Sequence, residues 1–597
     1  MTYTPQLNDL RHTFADVSGF NALVAEGLFP DLDMELVDAV LEEAGKFAAE
    51  IIAPINQPGD TEGCTYDPDT GNVTTATGWK DTYAQWVEAG WGALPCSAEH
   101  GGQGLPTTVA LAVQELWNTA ANAYGIGTLL TQGAVNAIIA HGSEEVKAVY
   151  LPKMVTGEWS GTMNLTEPQA GSDLAALRTK AEPQGDGTYK ITGTKIYITH
   201  GEHDLTENII HLVLARLPDA PEGTRGISLF VVPKFLVNAD GSPGERNDVK
   251  CAGLEEKMGI HGSPTAVMKY GEQTGAIGWL LGEENRGLAC MFTMMNHARL
   301  NVGMQGVAIA ERAFQHALAY ALERRQGRRP GSDGMVPIVE HPDVRRMLMD
   351  MKTKTAAARA ICYASANALD RAEFGKSDDV REQGELEAAL LTPVAKTFGT
   401  EMGVDVASIG IQVFGGMGFI EETGAAQHLR YARITPIYEG TNGIQAIDLA
   451  TRKLPLENGD TVRGLIDSFK EIADAVMASN DERFGRTGYR LTSAVEELEE
   501  ATAWMLDTLP ENLDKVLASA TPYSKLMGLT AGGCWLAKGA LAASQRQDAG
   551  TADADGVRIL EARYFAENHL PQARGISSVV RGSADAFFAT TPDAIAL

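Results

Sequence analysis

The feature that most constrains this chain is a change of hydrophobic period that occurs twice along its length. From Asp33 to Pro54 the apolar side chains of Val37, Val40, Leu41, Ala44, Phe47, Ala48 and Ile51 recur at the spacing of one helix face, and Pro54 supplies a stop. Residues 80–155 continue as Ala-, Leu- and Val-rich helical segments around a GGQGLP loop at 101–106. Past Trp159 the texture turns short, β-branched and aromatic. YKITGTKIYITHG (189–201), NIIHLVLARL (208–217) and GISLFVVPKF (226–235) are divided by Gly, Pro and Asp clusters. After ENRG (284–287) helical spacing returns through 288–330, 341–375, 383–408 and 424–453.

The expected fold is therefore mainly α with a central antiparallel β domain. It divides into an N-terminal helical domain (1–159), the β domain (160–282), a four-helix bundle (283–455) and an appended helical domain (456–597). LPLENGD (454–460) reads as the linker to the appended part, whose helical patterns include 461–479 and 491–510.

Charge narrows the partners. With 49 Lys+Arg against 78 Asp+Glu the net charge is −29, and the tail from 456 onward carries −8. No nucleic acid and no anionic membrane surface is expected, since both require clustered Lys and Arg. That also sets aside a DNA-binding reading of the tail. The uncharged stretch Val406 to Ile420 is short and broken by four glycines, so no membrane span is expected. Six cysteines scattered singly, and an opening (MTYTPQLNDLRHTF) without an apolar signal core, make a reduced, cytoplasmic compartment and a soluble chain the expectation.

The commoner site signatures are absent: no dinucleotide Gly-x-Gly-x-x-Gly after a strand, no Walker loop, no His-Glu-x-x-His and no Gly-x-Ser-x-Gly elbow. His200 and His203 in HGEH read as a polar turn, and no metal is expected. Four other segments carry chemistry. MNLTEPQAGSD (163–173) gathers hydroxyls, N–H groups and a carboxylate in one loop. KIYITHG (195–201) puts Tyr197 and Thr199 on one face of a strand, where a ring and a hydroxyl suit a flat heteroaromatic ligand. The glycines of IQVFGGMGF (411–419) allow close backbone approach to a phosphate or a neighbouring chain. In RITPIYEGTNGIQAIDLATRKL (433–454), Glu439 stands just before an amphipathic helix.

In this order and with this texture around them, the four segments closely resemble the acyl-CoA dehydrogenase family over residues 35–455. The extra tail resembles a longer bacterial branch, and the opening helix together with ERRQGR (323–328) is similar to members that oxidise 3-methylmercaptopropionyl-CoA in dimethylsulfoniopropionate breakdown. Other members of that branch act on short- or medium-chain acyl-CoA thioesters. An acyl-CoA oxidase would be expected to carry a Ser-Lys-Leu tail, where this chain has DAIAL.

The resemblance implies an FAD enzyme that makes 2-enoyl-CoA, passing electrons to an electron-transfer flavoprotein. Glu439 is then the base for the α-proton, and flavin N5 takes the hydride from Cβ. It assigns Thr166, Tyr197 and Thr199 to the flavin ring and Ser172 to the pantetheine arm. Arg324, Gln412, Gly415 and Gly416 are assigned to the FAD pyrophosphate and adenosine across a subunit interface, which implies a homodimer or tetramer; Thr441 is also a cofactor contact. Two departures stand out. The usual Arg-x-x-Phe-Gly reads Arg324-Arg325-Gln326-Gly327. Gly443 stands where many relatives have Gln, so that side chain's polar interaction with the cofactor is either missing or made by Asn442. The acyl pocket is expected where residues 95–140 and 290–300 converge, and the appended domain is not required by the core chemistry.

Overall fold

A computed structural model describes residues 3–548, 555–582 and 584–596. Helix Met34–Phe47 opens at Asp33, whose carboxylate accepts from the Leu36 N–H at 2.8 Å, and it buries Val37, Leu41 and Ala44. Pro54 does not end the run. It sits at the start of a 3-10 turn, Ala53–Ile55, where its missing N–H costs nothing, and helix Asn56–Thr61 follows.

Helices Thr107–His141 and Glu144–Thr156 complete the N-terminal layer, the first broken at Ala121 (φ −154°, ψ 93°). Thr107–His141 and Asp378–Phe419 are long and apolar enough to cross a bilayer by composition. In the former, 78% of the apolar window is buried inside the protein, as in the core helix of a globular chain.

The middle of the chain forms an eight-stranded sheet from Trp159–Asn164, Lys180–Pro183, Thr188–Thr199, Asn208–Ala215, Ser228–Pro233, Val249–Leu254, Thr265–Tyr270 and Ala276–Leu281. Its pairs are antiparallel with one exception, the parallel pairing of Trp159–Asn164 with Asn208–Ala215. The chain between those two strands leaves the sheet's edge, builds two further strands and returns in the original direction. Period-two alternation splits single strands between two cores. Leu212, Leu214, Leu229 and Val231 pack with Ile138, Tyr150 and Met154 of the helical layer, whereas Val213, Phe230 and Val232 pack with Ile191, Cys251 and Tyr270.

Helices Gly287–Glu323, Pro342–Phe374 and Asp378–Phe414 form the second helical layer. Two of them touch backbone to backbone: a Cβ on Gly306 would lie 2.2 Å from the Gly399 carbonyl oxygen. The fourth expected helix, 424–453, is split. Ala425–Ala432 stops, an irregular segment follows, and Asn442–Asp448 restarts, because Pro436 and the left-handed Glu439 (φ 55°) and Gly440 (φ 82°) interrupt the helix.

LPLENGD is a tight turn and not a loose tether, with Glu457, Asn458 and Gly459 left-handed and Leu454 fully buried. Beyond it come Asp460–Ala478, Thr487–Thr508, Leu513–Asp548, Asp555–Asn568 and Gln572–Gly582. The appended helices are pinned to the N-terminal segment by ion pairs: Arg546 holds Asp16 at 2.6 and 2.7 Å, and Arg558 holds Asp9 at 2.5 Å. Leu513–Asp548 packs on Pro342–Phe374, Asp378–Phe414 and Asn442–Asp448 within one continuous apolar core.

Candidate functional site

Glu439 sits on the loop between Ala425–Ala432 and Asn442–Asp448 in a backbone conformation that disfavours any side chain, so the loop must be held by its surroundings. Three neighbours in sequence hold it. The Tyr438 hydroxyl donates to Gln305 Oε1, and Thr441 Oγ1 accepts from the Ile444 N–H at 3.3 Å, capping the next helix. Asn442 points inward: its Oδ1 accepts from Lys396 Nζ at 2.8 Å and its Nδ2 donates to Thr400 Oγ1 at 3.0 Å. Asn442 is thus committed to the interior and is not placed to take over a cofactor interaction from the missing Gln at 443. Burial pushes the Glu439 carboxyl above the usual carboxylate range, while the Arg299 guanidinium and the Lys396 ammonium oppose that shift. Burial also draws Lys396 down to about 7, against the opposing pull of Glu439. A carboxylate in this setting is poised to act as a base.

A cavity of about 40 Å³ lies between the N-terminal layer and helix Gly287–Glu323. Its walls include the rings of Trp86, Trp91 and Trp117, with Gln114, Gln132, His297 and Asn301 among its polar residues. The break at Ala121 lets both halves of Thr107–His141 contribute lining. The expected convergence of 95–140 with 290–300 is met by residues 107–132 and 297–301, but Trp86 and Trp91 lie upstream of the range that the sequence suggested. A polar run joins the cavity to the loop. Asn118 Nδ2 donates to the Gln114 carbonyl at 2.8 Å, Gln305 Nε2 donates to Asn118 Oδ1 at 3.4 Å, and Tyr438 donates to Gln305.

The TEPQAGSD loop and the KIYITHG strand are fastened together. The Ile196 N–H donates to the Thr166 carbonyl at 2.9 Å. Beneath them Lys195, fully buried, donates to Glu167 Oε1 at 2.8 Å and to the Leu165 carbonyl at 3.0 Å. Glu167 also accepts from the N–H groups of Arg178 and Thr179 and from the Thr179 hydroxyl. With the ammonium beside it the Glu167 carboxyl is held at about 2. Neither Lys195 nor Glu167 stands out as a candidate in the sequence; a lysine inside an alternating apolar strand is the one signal that marks the pair.

Tyr197 lies at a bulge where pairing with the next strand shifts register; it is left-handed (φ 61°) and 59% exposed. Thr199 is partly exposed on the other side of buried Ile198. Thr166, Tyr197 and Thr199 are thereby brought to one patch. Ser172 is exposed nearby in the loop, next to Asp173, which caps the Ala175 N–H at 2.9 Å.

His200 and His203 are not a surface turn. Both are buried and kept uncharged by that burial, with His203 Nε2 3.0 Å from Ser160 Oγ. Among the described residues no group of three His, Cys, Asp or Glu is placed to hold a metal.

Arg324 follows the last turn of Gly287–Glu323, exposed, with its carbonyl accepting from the Ile338 N–H at 2.8 Å to close a hairpin-like loop. Gly415 ends Asp378–Phe414 at φ 61°, and a Cβ on Gly415 or Gly416 would meet nothing within 4 Å. Gln412 is exposed beside them, as are Met417 and Phe419 (87%). These residues form an outward-facing surface separate from the Glu439 loop.

Compared with known proteins, the sequence matches the acyl-CoA dehydrogenase N-terminal domain over 35–158, the middle domain over 162–271 and the C-terminal domain over 285–454. Residues 466–591 match the acetyl-CoA dehydrogenase C-terminal-like domain. The chain is 45% identical over 594 residues to 3-methylmercaptopropionyl-CoA dehydrogenase of Ruegeria pomeroyi, with 98% of this chain and 99% of that protein covered. It is 34% identical over 592 residues to a butyryl-CoA dehydrogenase of Syntrophomonas wolfei, covering 96% of each. Among solved structures, an acyl-CoA dehydrogenase complexed with FAD from Bacillus anthracis has the same fold, with TM-score 0.74, 22% identity, and coverage of 93% of this chain and 89% of that one. A carboxylate loop, an aromatic cavity and a helix–sheet–helix frame, matched domain by domain and along the full length of a relative at 45% identity, establish that the chain belongs to the acyl-CoA dehydrogenase family.

Proposed function

We propose that this dehydrogenase oxidises short acyl-CoA thioesters, with 3-methylmercaptopropionyl-CoA as its preferred substrate and Glu439 as its base. The observation that carries this reading is the cavity. At about 40 Å³ it is a small cavity, which supports a short acyl chain over a long one. Its three tryptophans suit a thioether, since sulfur packs favourably against aromatic rings. The 45% identity to the Ruegeria pomeroyi enzyme supports the same substrate.

The residues present fit FAD. An exposed Tyr197 ring beside the hydroxyls of Thr199 and Thr166 offers a surface for a flat ring, and the open backbone of Gly415 and Gly416 with Gln412 and Arg324 offers room and polar groups for a dinucleotide. Bound FAD supplies the acceptor for the hydride that leaves Cβ. The protein's part is to orient the thioester and to move the proton. The Glu439 carboxylate takes the proton from Cα, and the electron pair of that C–H bond becomes the second bond between Cα and Cβ as the hydride departs. The Glu439 N–H is assigned to polarise the thioester carbonyl. Electrons then pass to an electron-transfer flavoprotein, and the exposed Met417 and Phe419 around open glycines support contact with a second copy of the chain. Six free cysteines fit a reducing cytoplasm.

Anaerobic mixing with a panel of acyl-CoA thioesters, following flavin absorbance, tests this reading. Fastest bleaching is expected with 3-methylmercaptopropionyl-CoA and butyryl-CoA, and a clear preference for octanoyl-CoA refutes the substrate assignment.

A further inference from the structure

The appended domain reaches the catalytic loop. Helix Leu513–Asp548 lies against both Asp378–Phe414 and the short helix Asn442–Asp448 that follows Glu439. The approach is close, since a Cβ on Gly528 would fall 2.5 Å from the Phe398 ring. One turn away Ser524 Oγ is 2.7 Å from Thr397 Oγ1, both side chains buried. The Thr397 hydroxyl also lies 2.9 Å from the Pro393 carbonyl, and when it donates there Ser524 is the donor between the two hydroxyls.

The same helical turn carries the groups that grip the loop. Lys396 Nζ donates to Asn442 Oδ1 at 2.8 Å, and Asn442 Nδ2 donates back to the Thr397 carbonyl at 3.3 Å and to Thr400 Oγ1 at 3.0 Å. Lys396 and Thr400 are fully buried, and Asn442 nearly so. Asn442 is the first residue of its helix, three positions after a glutamate held at positive φ. A conformation of that kind persists only when its surroundings over-determine it.

We propose that residues 396–400, braced from behind by Ser524 of the appended domain, form a clamp on Asn442 that positions Glu439, with Lys396 as a positioning residue. The clamp rests on the reading of Glu439 as the base. The appended helices are then part of the working site and not a passive extension. Lys396 faces Glu439 on the loop, Arg299 on Gly287–Glu323 and Glu401 on its own helix. Glu401 in turn faces Lys525 of the appended helix, and Arg299 faces Asp448. Lys396 is one of two cations that oppose the upward push on the Glu439 carboxyl, so its removal raises that carboxyl further.

The test uses the full-length FAD-loaded enzyme and four variants: Ser524→Ala, Thr397→Val, Thr397→Ser and Lys396→Met. Flavin bleaching by saturating butyryl-CoA is followed anaerobically across pH, with FAD content and KM measured alongside. Ser524→Ala and Thr397→Val are expected to keep FAD and KM while bleaching about tenfold more slowly, because misplacement of a reacting group by a fraction of an ångström is costly. Thr397→Ser restores the rate. Lys396→Met moves the acid limb of the profile upward by about one pH unit. Should Lys396→Met fail to fold, Ser524→Ala and the Thr397 pair decide alone. Wild-type bleaching rates in Ser524→Ala and Thr397→Val, even with a lowered Tm, overturn the clamp. Undiminished bleaching in Glu439→Gln overturns the base itself, so the two failures are distinct.

Discussion

Replacing Lys195 by Met removes the one cation beneath the loop and strand that carry Thr166, Tyr197 and Thr199. Lys195 is fully buried and Glu167 is 3% exposed, so the variant strands a carboxylate in the interior with only neutral donors left, from Gln169, Arg178 and Thr179. Breaking a buried pair by removing one partner costs about 3–5 kcal/mol. The shift of the Glu167 carboxyl from 4.5 to about 2 is worth about 3 kcal/mol on the same scale. The sign follows from the depressed value. The contribution is present in full above about 4.5 and is lost as pH falls toward 2, so the deficit of the variant is largest at neutral pH and shrinks on acidification. Adding Glu167→Gln to Lys195→Met removes the stranded charge and is expected to recover most of the loss. Thermal release of FAD, read by the fluorescence of the freed flavin at pH 7 and pH 4, measures both effects. A double variant as unstable as Lys195→Met would show that side-chain packing, not charge pairing, holds the loop; a Lys195→Met protein as stable as the parent would refute the clasp.

Glu439→Gln is expected to retain FAD yet bleach at least about 10³-fold more slowly with substrate, and in the parent the activity should fall as pH drops through a value above the usual carboxylate range, since burial raises that carboxyl. Trp117→Ala removes a cavity wall that meets Trp86 and Trp91 with ring centroids 5.9 and 5.6 Å apart; rates on octanoyl-CoA relative to butyryl-CoA should rise about tenfold or more, with a stability loss of about 3–5 kcal/mol in thermal melts. Asp33→Ala deletes the cap on Met34–Phe47 and should cost about 1 kcal/mol, seen as faster amide exchange at Leu36.

Local chemistry made much of this protein legible in its sequence. Period and turn residues locate the helical layers and the sheet between them, and the ring-hydroxyl pair of Tyr197 and Thr199 is a contiguous pattern on one strand, whereas a lone acid before a helix reads first as a complement to its dipole and Glu439 is singled out by the resemblance of its segment to the family. What escaped were features made by distant segments. The parallel strand pair depends on where the chain returns after Asn164, and the split of 424–453 depends on a left-handed glutamate that no periodicity encodes. The tight turn at 457–459 looks like a linker because Glu, Asn and Gly serve either purpose.

The sequence by itself therefore determined the order of layers and the family, and singled out Glu439 as the candidate base, all from neighbouring residues. Only the tertiary structure decided that Lys195 lies under Glu167, that Asn442 turns inward to Lys396, and that Ser524 meets Thr397 across more than a hundred residues. The physical reason is common to the three. A buried polar group is stable only with a partner, and in each case that partner comes from a segment far away in the chain, so the need is local while its satisfaction is not.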